Sequence, residues 1–411
     1  MALIQASIEQ LRVGHYIHLP TGWTNHPFMF NAFKIKDQQQ LDIIRHLDLN
    51  LLMVDPDKSD LPLEPLLRGD IPSPGPDLSV VEEPEDSGPP PFDEKAFRRS
   101  LRAADKAFGQ SMSELRDALG ALNLKPDEGL ANTAQIVRNA AARISAHEGP
   151  LGLHFIRSPH TDILLQHSLN VAFIAMLMAR ELGMTPIEIE ETGLAGLVHD
   201  IGELKIPTQI TQKRGELNKS EQNFLKMHPQ YGLEMLTQLQ AFEPKIRQVA
   251  HLHHERLDGS GFPLGIKGGE IPPLARIIGL VDYYDELLHP RNSATPAAPS
   301  QAISQLYKLS QKKFDQDLVK LLIKVLGVYP PGSLVLLSDD SVALVLSTEP
   351  TMPLKPKVLP YIKAQRPEGV AMVDLREDER TIKSFLKQED LDEGQRLFFN
   401  LTRRFCYYFA F

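Results

Sequence analysis

Cysteine is almost missing from this 411-residue chain: Cys406 stands alone, which excludes an internal disulfide and fits a reducing compartment. Surplus positive charge is missing too. With 53 acidic against 44 basic side chains the formal charge is −9, the wrong sign for non-specific binding to a nucleic-acid polymer or an anionic membrane. A phosphate-bearing ligand must therefore find a local cationic site. No unbroken apolar run approaches the ~18 residues of a membrane span. The opening MALIQASIEQLRVG is polar where a secretory signal needs an apolar core. These absences lead us to expect a cytoplasmic protein without a membrane segment. What is present, 42% hydrophobic and 24% charged residues, suits a globular chain of roughly two to four domains.

Composition divides the chain. Residues 1–55 offer short alternating segments, VGHYIHL and LLMV, around one amphipathic stretch, QQQLDIIRHL, and read as a small N-terminal α/β module. Residues 56–91 collect proline, glycine and acid, end in EEPEDSGPPP, and read as an extended linker. Over 92–150 apolar residues recur at helical spacing (Phe97, Leu101, Ala104, Phe108, Met112, Leu115, Leu119). This is a helical connector and a candidate surface for a homodimer. Residues 151–328 read as a central all-α bundle. Beyond Pro330, GSLVLLSDDSVALVLSTE alternates around an Asp-Asp-Ser turn as a hairpin does, and the tail ends in aromatic FCYYFAF. Residues 329–411 are therefore expected to form a small β-rich C-terminal appendage. The whole is a multidomain, mainly α protein.

Punctuation within the central region is clear. A stripe of Leu169, Phe173, Met176 and Leu177 stops at Gly183. Thr185, with Pro186 next and Glu188 three residues on, opens a second helix that runs through AGLVHDIG and stops at Gly202. Asn218 with Glu221 opens a third, ending at His228-Pro229. Glu243-Pro244 opens a fourth, carrying His251, His253 and His254, and PPLARIIGLVDYYDELL makes a fifth with Asp282 inside it.

Six histidines thus recur with Asp200 and Asp282 between His167 and Asp282, distributed over successive helices and helix ends. Singly they carry little. His199-Asp200 is a pair that chance supplies, His167 suits a polar helix start, and His228 before Pro229 suits a helix end. His253-His254-Glu255 makes a poor core and a costly surface, although a solvated helix end would also suit it. His251 reads as plain surface. Asp282 differs, because a carboxylate in an otherwise apolar helix is expensive to bury without a cation. Taken together along convergent helices, imidazoles and carboxylates suit divalent metals of intermediate hardness, and bundles build such sites from inward-facing side chains.

In order and spacing, the blocks HSLNVAFIAMLMA, GLVHDIGELKIP, MHPQYGLEML, HHERLDGSGFPLG and IPPLARIIGLVDYYDEL resemble the HD-GYP subgroup of HD-domain phosphohydrolases, over roughly residues 160–328. The first 55 residues, with LRVGHYIHL and Trp23 before NHPF, resemble the domain of unknown function that often precedes it. The resemblance implies a cyclic di-GMP phosphodiesterase that opens its substrate to pGpG and perhaps onward to GMP. It implies two divalent metal ions, iron or manganese, held by His167, His199, Asp200, His228, His253, His254 and Asp282. Asp200 would bridge them and a hydroxide shared between them would attack phosphorus. Family members with a third metal carry glutamate where this chain has Ile163.

The chain also departs from the family. Glu203 stands where the subgroup places a lysine against the substrate phosphate, leaving Lys205 or Lys213 to supply the cation. The tyrosine of the Gly-Tyr-Pro triplet is Phe262, after Gly261. A second basic residue downstream is Ala294, so Arg291 alone is retained. On this reading Asp200, Glu203 and Lys205 are the catalytic positions, and Arg291, Lys213, Gly261 and Phe262 the substrate-binding ones. Glu203→Lys is expected to raise hydrolysis. The alternative is a catalytically weak module that binds cyclic di-GMP or a diguanylate cyclase domain without turnover.

Overall fold

The computed structural model describes residues 91–122, 124–157, 162–213, 215–240, 242–291, 296–400 and 405–410, and in the N-terminal part 4–6, 10–18, 32–35, 41, 44, 52–56 and 58–61. The chain forms two compact units, Met1–Pro89 and Pro90–Phe411. Most of the expected linker, residues 62–90, lies outside the described residues, as do Trp23 and Ala294.

In the first unit, strands β1 (Ile4–Ala6), β2 (Tyr16–His18), β3 (Ala32–Lys34) and β4 (Leu52–Asp55) form an antiparallel sheet in the order β1-β4-β2-β3. Leu41 and Ile44, the two described residues of the amphipathic stretch, are helical and buried. They join Leu11, Ile17, Ile35 and Val54 in having almost no exposed surface.

The second unit opens with helices α1 (Glu94–Ala121) and α2 (Pro126–Ala146). The Asp93 carboxylate caps α1 by accepting from the Ala96 amide, and α2 starts on proline, whose missing N–H costs nothing there. Strand β5 (Gly152–Arg157) follows and then α3 (Ile163–Glu181), buried without a break from Leu165 to Ala179. By length and composition α3 could cross a bilayer, but it is the central core helix of this unit. Helix α4 (Pro186–Val198) begins with a Thr185–Glu188 capping box and leads through a 3-10 turn, Ile201–Lys205, to the short α5 (Thr208–Thr211). Helices α6 (Lys219–Leu225), α7 (His228–Gln238), α8 (Pro244–Leu252), α9 (Pro273–Leu288), α10 (Pro299–Leu309) and α11 (Gln316–Leu326) complete the bundle.

His228 opens α7 rather than ending the helix before it, correcting the sequence reading. Proline in a first turn gives up an amide that has no intrahelical partner, so His228-Pro229 suits a start better than a stop. The second helix likewise gives way to the 3-10 turn at Asp200 instead of running on to Gly202.

The β-rich C-terminal region is present, with the expected hairpin: β6 (Leu334–Leu337) and β7 (Val342–Ser347) pair around a turn in which Asp340 takes positive φ. Its sheet is not confined to residues beyond 328, however. Strands β8 (Lys357–Pro360), β9 (Val373–Asp374), β10 (Ile382–Leu386) and β11 (Phe405–Ala410) join it, α12 (Glu393–Phe399) intervenes, and β5 sits between β7 and β11. The helical region therefore contributes a strand to the C-terminal sheet. One six-residue strand carries too little signal in sequence to reveal that pairing.

Two glycines set how closely the site-bearing elements approach. A side chain at Gly202 would overlap the His228 carbonyl, and one at Gly279 would overlap the His253 carbonyl. The 3-10 turn thus seats on α7, and α9 on the end of α8, at backbone contact.

Candidate metal centre

Seven buried side chains meet where these elements converge. His167 lies in the first turns of α3, and His199 caps the C-terminus of α4 with Asp200 directly after it. His228 opens α7, His253 and His254 close α8, and Asp282 lies midway along α9. None is more than 8% exposed.

The ligand atoms form two groups: His167, His199 and Asp282, and Asp200, His228, His253 and His254, each with its atoms within 4.8 Å of one another. Asp200 faces both. Its Oδ2 lies 3.7 Å from His167 Nε2 and 3.6 Å from His199 Nε2, while its Oδ1 lies 3.2 Å from His228 Nε2 and 3.4 Å from His253 Nε2. Asp282 spans them as well, with Oδ1 3.2 Å from His167 Nε2 and Oδ2 3.5 Å from His254 Nδ1.

The donor set fits divalent cations for a reason beyond proximity. His199, His228 and His253 donate from Nδ1 to the carbonyls of Gly196 (2.7 Å), Leu225 (2.8 Å) and Val249 (3.1 Å), and His167 donates from Nδ1 to Asp285 (2.8 Å). A carbonyl or carboxylate only accepts, so each Nδ1 carries the proton and each Nε2 keeps its lone pair. Yet these Nε2 atoms lie 3.2 Å apart in His167 and His199, and 3.3 Å apart in His228 and His253. Lone pairs pressed together in a dry pocket need a cation between them. Asp200 Oδ1 and both Asp282 oxygens are buried without a hydrogen bond, which is costly for a carboxylate unless a cation is the partner. Histidines whose second nitrogen is tied to an acceptor are the usual arrangement behind a metal ligand.

Protonation responds to the same geometry. Burial opposes ionisation of Asp200 and Asp282, but the surrounding histidines more than reverse it and hold both well below the ordinary carboxylate range. Burial pulls the His167 imidazole down, but Asp282 and Asp285 more than reverse this and raise it well above its usual value. Burial and the neighbouring His253 push His254 far down, leaving it neutral and able to ligate.

The other residues picked out in sequence are placed unevenly. Glu203 is buried in the 3-10 turn and bonded to Arg291 Nη1, whose Nη2 donates to Asp200 Oδ2 at 3.0 Å. The retained arginine is therefore engaged by two carboxylates. Burial raises the Glu203 carboxyl, against the pull of Arg291. Lys205 is exposed on the same turn. Lys213 is paired with Glu221 at 2.6 Å. Phe262 stacks on His254, ring centroids 4.5 Å apart, so it lines the second ligand group. Gly261 packs against the backbone of residues 254–256, leaving no room for a side chain. His251 is half-buried and belongs to neither group.

Sequence reasoning missed the residues that hold the ligands. Asp285 receives His167, Asn170 and His289, and it sits three residues beyond Asp282 on the same helical face, a spacing that could have flagged it. Glu255 accepts the amides of Leu264 (2.7 Å) and Gly265 (3.0 Å), pinning the glycine-rich loop beside His254. Lys226, two residues before His228, holds its ammonium 5.4 Å over the Phe262 ring. Neither left a signal in sequence, since both act through the folded loop.

Comparison with known proteins agrees with this geometry. Residues 153–318 match the sequence profile of the HD domain, and residues 3–132 match a domain of unknown function, DUF3391. A cyclic di-GMP phosphodiesterase of Pseudomonas aeruginosa is 28% identical over 87% of this chain and 85% of its own length. The cyclic di-GMP phosphodiesterase response regulator RpfG of Xanthomonas campestris is 35% identical, covering 38% of this chain and 41% of that protein. A 3'3'-cGAMP-specific phosphodiesterase of Vibrio cholerae is 39% identical over 32% of this chain and 30% of its length. The chain thus spans most of the first relative and less than half of the other two. The helical region thus matches the HD domain, the residues before it match DUF3391, and the Gly-Phe-Pro loop lies against the ligands of the site.

Proposed function

We propose that this chain is a metal-dependent phosphodiesterase that hydrolyses cyclic di-GMP to pGpG. The observation that carries the reading is the convergence of Nε2 of His167, His199, His228 and His253 to within 3.7 Å of the two oxygens of Asp200. On this reading His167, His199 and Asp282 hold one divalent ion, His228, His253 and His254 a second, and Asp200 both. Iron and manganese suit this mixture of imidazole and carboxylate. A bound pair of such ions supplies an activated water and positive charge against the phosphoryl oxygens. The protein's own part is to keep each imidazole in one tautomer, to exclude bulk water and to orient the nucleotide. Phe262 offers an aromatic ring and Lys226 a cation over it, chemistry that suits a base and a phosphate.

Metal analysis of anaerobically purified protein, together with chromatography of products from cyclic di-GMP and cyclic GMP-AMP, tests the reading. Two metal equivalents and release of pGpG are expected, and metal-loaded protein that cleaves neither nucleotide refutes it. Preference for the mixed nucleotide would move the substrate assignment and leave the reaction class intact. Engagement of Arg291 by Glu203 and Asp200 favours a second reading, a cyclic di-GMP receptor or docking partner for a diguanylate cyclase domain. Stoichiometric binding without product would select it.

A further inference from the structure

Behind His167 runs a chain of hydrogen bonds that leaves the helical bundle altogether. Asp285 Oδ2 receives His167 Nδ1 at 2.8 Å, and Asp285 Oδ1 receives Asn170 Nδ2 at 2.8 Å. Asn170 Oδ1 in turn accepts the backbone amide of Tyr407 at 3.1 Å. All four residues are buried. The direction of the chain is unambiguous: a carboxylate accepts and a backbone amide donates, so the Asn170 side chain has one orientation available.

Tyr407 lies in β11, the last strand of the C-terminal sheet order, whose residues 405–410 pair on one side with β5. An edge strand leaves alternate amides without a strand partner. Helix α3 covers that edge, and Asn170 takes the amide of Tyr407. The same tyrosine's hydroxyl lies 3.1 Å from that of Tyr284, the neighbour of Asp285 on α9. The C-terminal strand therefore reaches the support of His167 along two routes.

We propose that Asn170 is a positioning residue for the metal ligand His167, and that strand β11 is thereby a structural part of the metal centre. The inference rests on the metal reading above. Asn170 touches no proposed ligand atom. It acts by fixing Asp285, which fixes the proton and ring plane of His167. Only the ligand group of His167, His199 and Asp282 has this support. In the other group His228 and His253 donate instead to the backbone carbonyls of Leu225 and Val249 and lie beside Asp200.

Two variants of the full chain separate the links. Asn170→Asp keeps an acceptor for Tyr407 but turns a donor to Asp285 into a repelling oxygen, and Asn170→Leu removes both bonds. Manganese(II) affinity is read by competition with a fluorescent chelator, and the metal-free thermal midpoint is read separately. We expect wild type to bind two ions. In Asn170→Asp one of the two should weaken roughly 10- to 100-fold, the usual effect of losing an outer-shell partner, and the other should hold within about twofold. Asn170→Leu should weaken the same ion and lower the metal-free midpoint as well. Should Asn170→Leu fail to fold, Asn170→Asp decides alone. Two ions bound with wild-type affinities in Asn170→Asp would overturn the positioning role and spare the metal reading. Wild type that binds no ion overturns both.

Discussion

Replacing Glu203 with glutamine tests how the site meets a phosphate. Glu203 is 7% exposed and bonded to Arg291, which also donates to Asp200 at 3.0 Å. The three groups sum to one negative charge, and Glu203→Gln brings the sum to zero while keeping shape and most hydrogen bonds. The Coulomb energy with a phosphate charge at about 6 Å runs from ~0.7 kcal/mol at the dielectric of water to ~2.8 kcal/mol at an effective value of about 20. KM for cyclic di-GMP should therefore fall roughly 3- to 100-fold, with a smaller gain at high salt. Loss of one charge-assisted bond should cost about 1.5–3 kcal/mol of stability. Product chromatography across substrate concentrations at two ionic strengths reads the first effect, and denaturant unfolding the second. A folded variant with wild-type metal content and an unchanged or higher KM would refute the argument. The same geometry revises what Glu203→Lys should do. A lysine there faces Arg291 in a buried pocket, breaking a pair whose loss costs about 3–5 kcal/mol. The lysine variant should thus be less stable than the glutamine one, offsetting the rise in hydrolysis anticipated from sequence alone.

Three further outcomes follow from other parts of the molecule. Manganese(II) at about 100 times its dissociation constant should stabilise metal-free protein by ~2.7 kcal/mol per site, and an unmoved unfolding midpoint would count against a preformed centre. Glu255→Ala removes the acceptor of the Leu264 and Gly265 amides. KM should rise with metal content unchanged, so a loss of metal measured by mass spectrometry would show that the loop holds the ligands directly. Burial, helped by Lys357, holds the His154 imidazole down at about 3 from its ordinary 6.5. The unfolded chain takes up this proton before the folded one does, so the stability His154 contributes is whole above about pH 6.5 and is lost as pH falls toward 3. His154→Gln should flatten the dependence of the melting midpoint on pH between about 6.5 and 4 in metal-free protein, and an equal slope in the two proteins would refute the assignment.

Much of the helical framework was legible because its signals are local. The Thr185–Glu188 and Asn218–Glu221 boxes form as their spacing predicts, and the apolar stripe of α3 stops where Gly183 takes positive φ. His228 was misread because a His-Pro pair is compatible with a helix end and a helix start alike, and only the neighbouring turn distinguishes them. Asp285 was overlooked because an acid between a tyrosine and a glutamate looks like the polar end of a helix until the face it shares with Asp282 is turned inward. Nothing local in Lys213 reveals that its ammonium is taken by Glu221, nor in Arg291 that Glu203 holds it.

Residue types and their order along the chain decided which chemistry is available here. Imidazoles and carboxylates recurring on successive helices, with one cysteine and no surplus of cations, leave divalent-metal chemistry as the economical reading of an otherwise costly core. Tertiary structure alone decided which atom of each side chain faces the centre and what stands behind it. Those facts depend on contacts between residues far apart in sequence, such as Tyr407 with Asn170 and Arg291 with Asp200, where burial strengthens each hydrogen bond and makes every unpaired atom expensive.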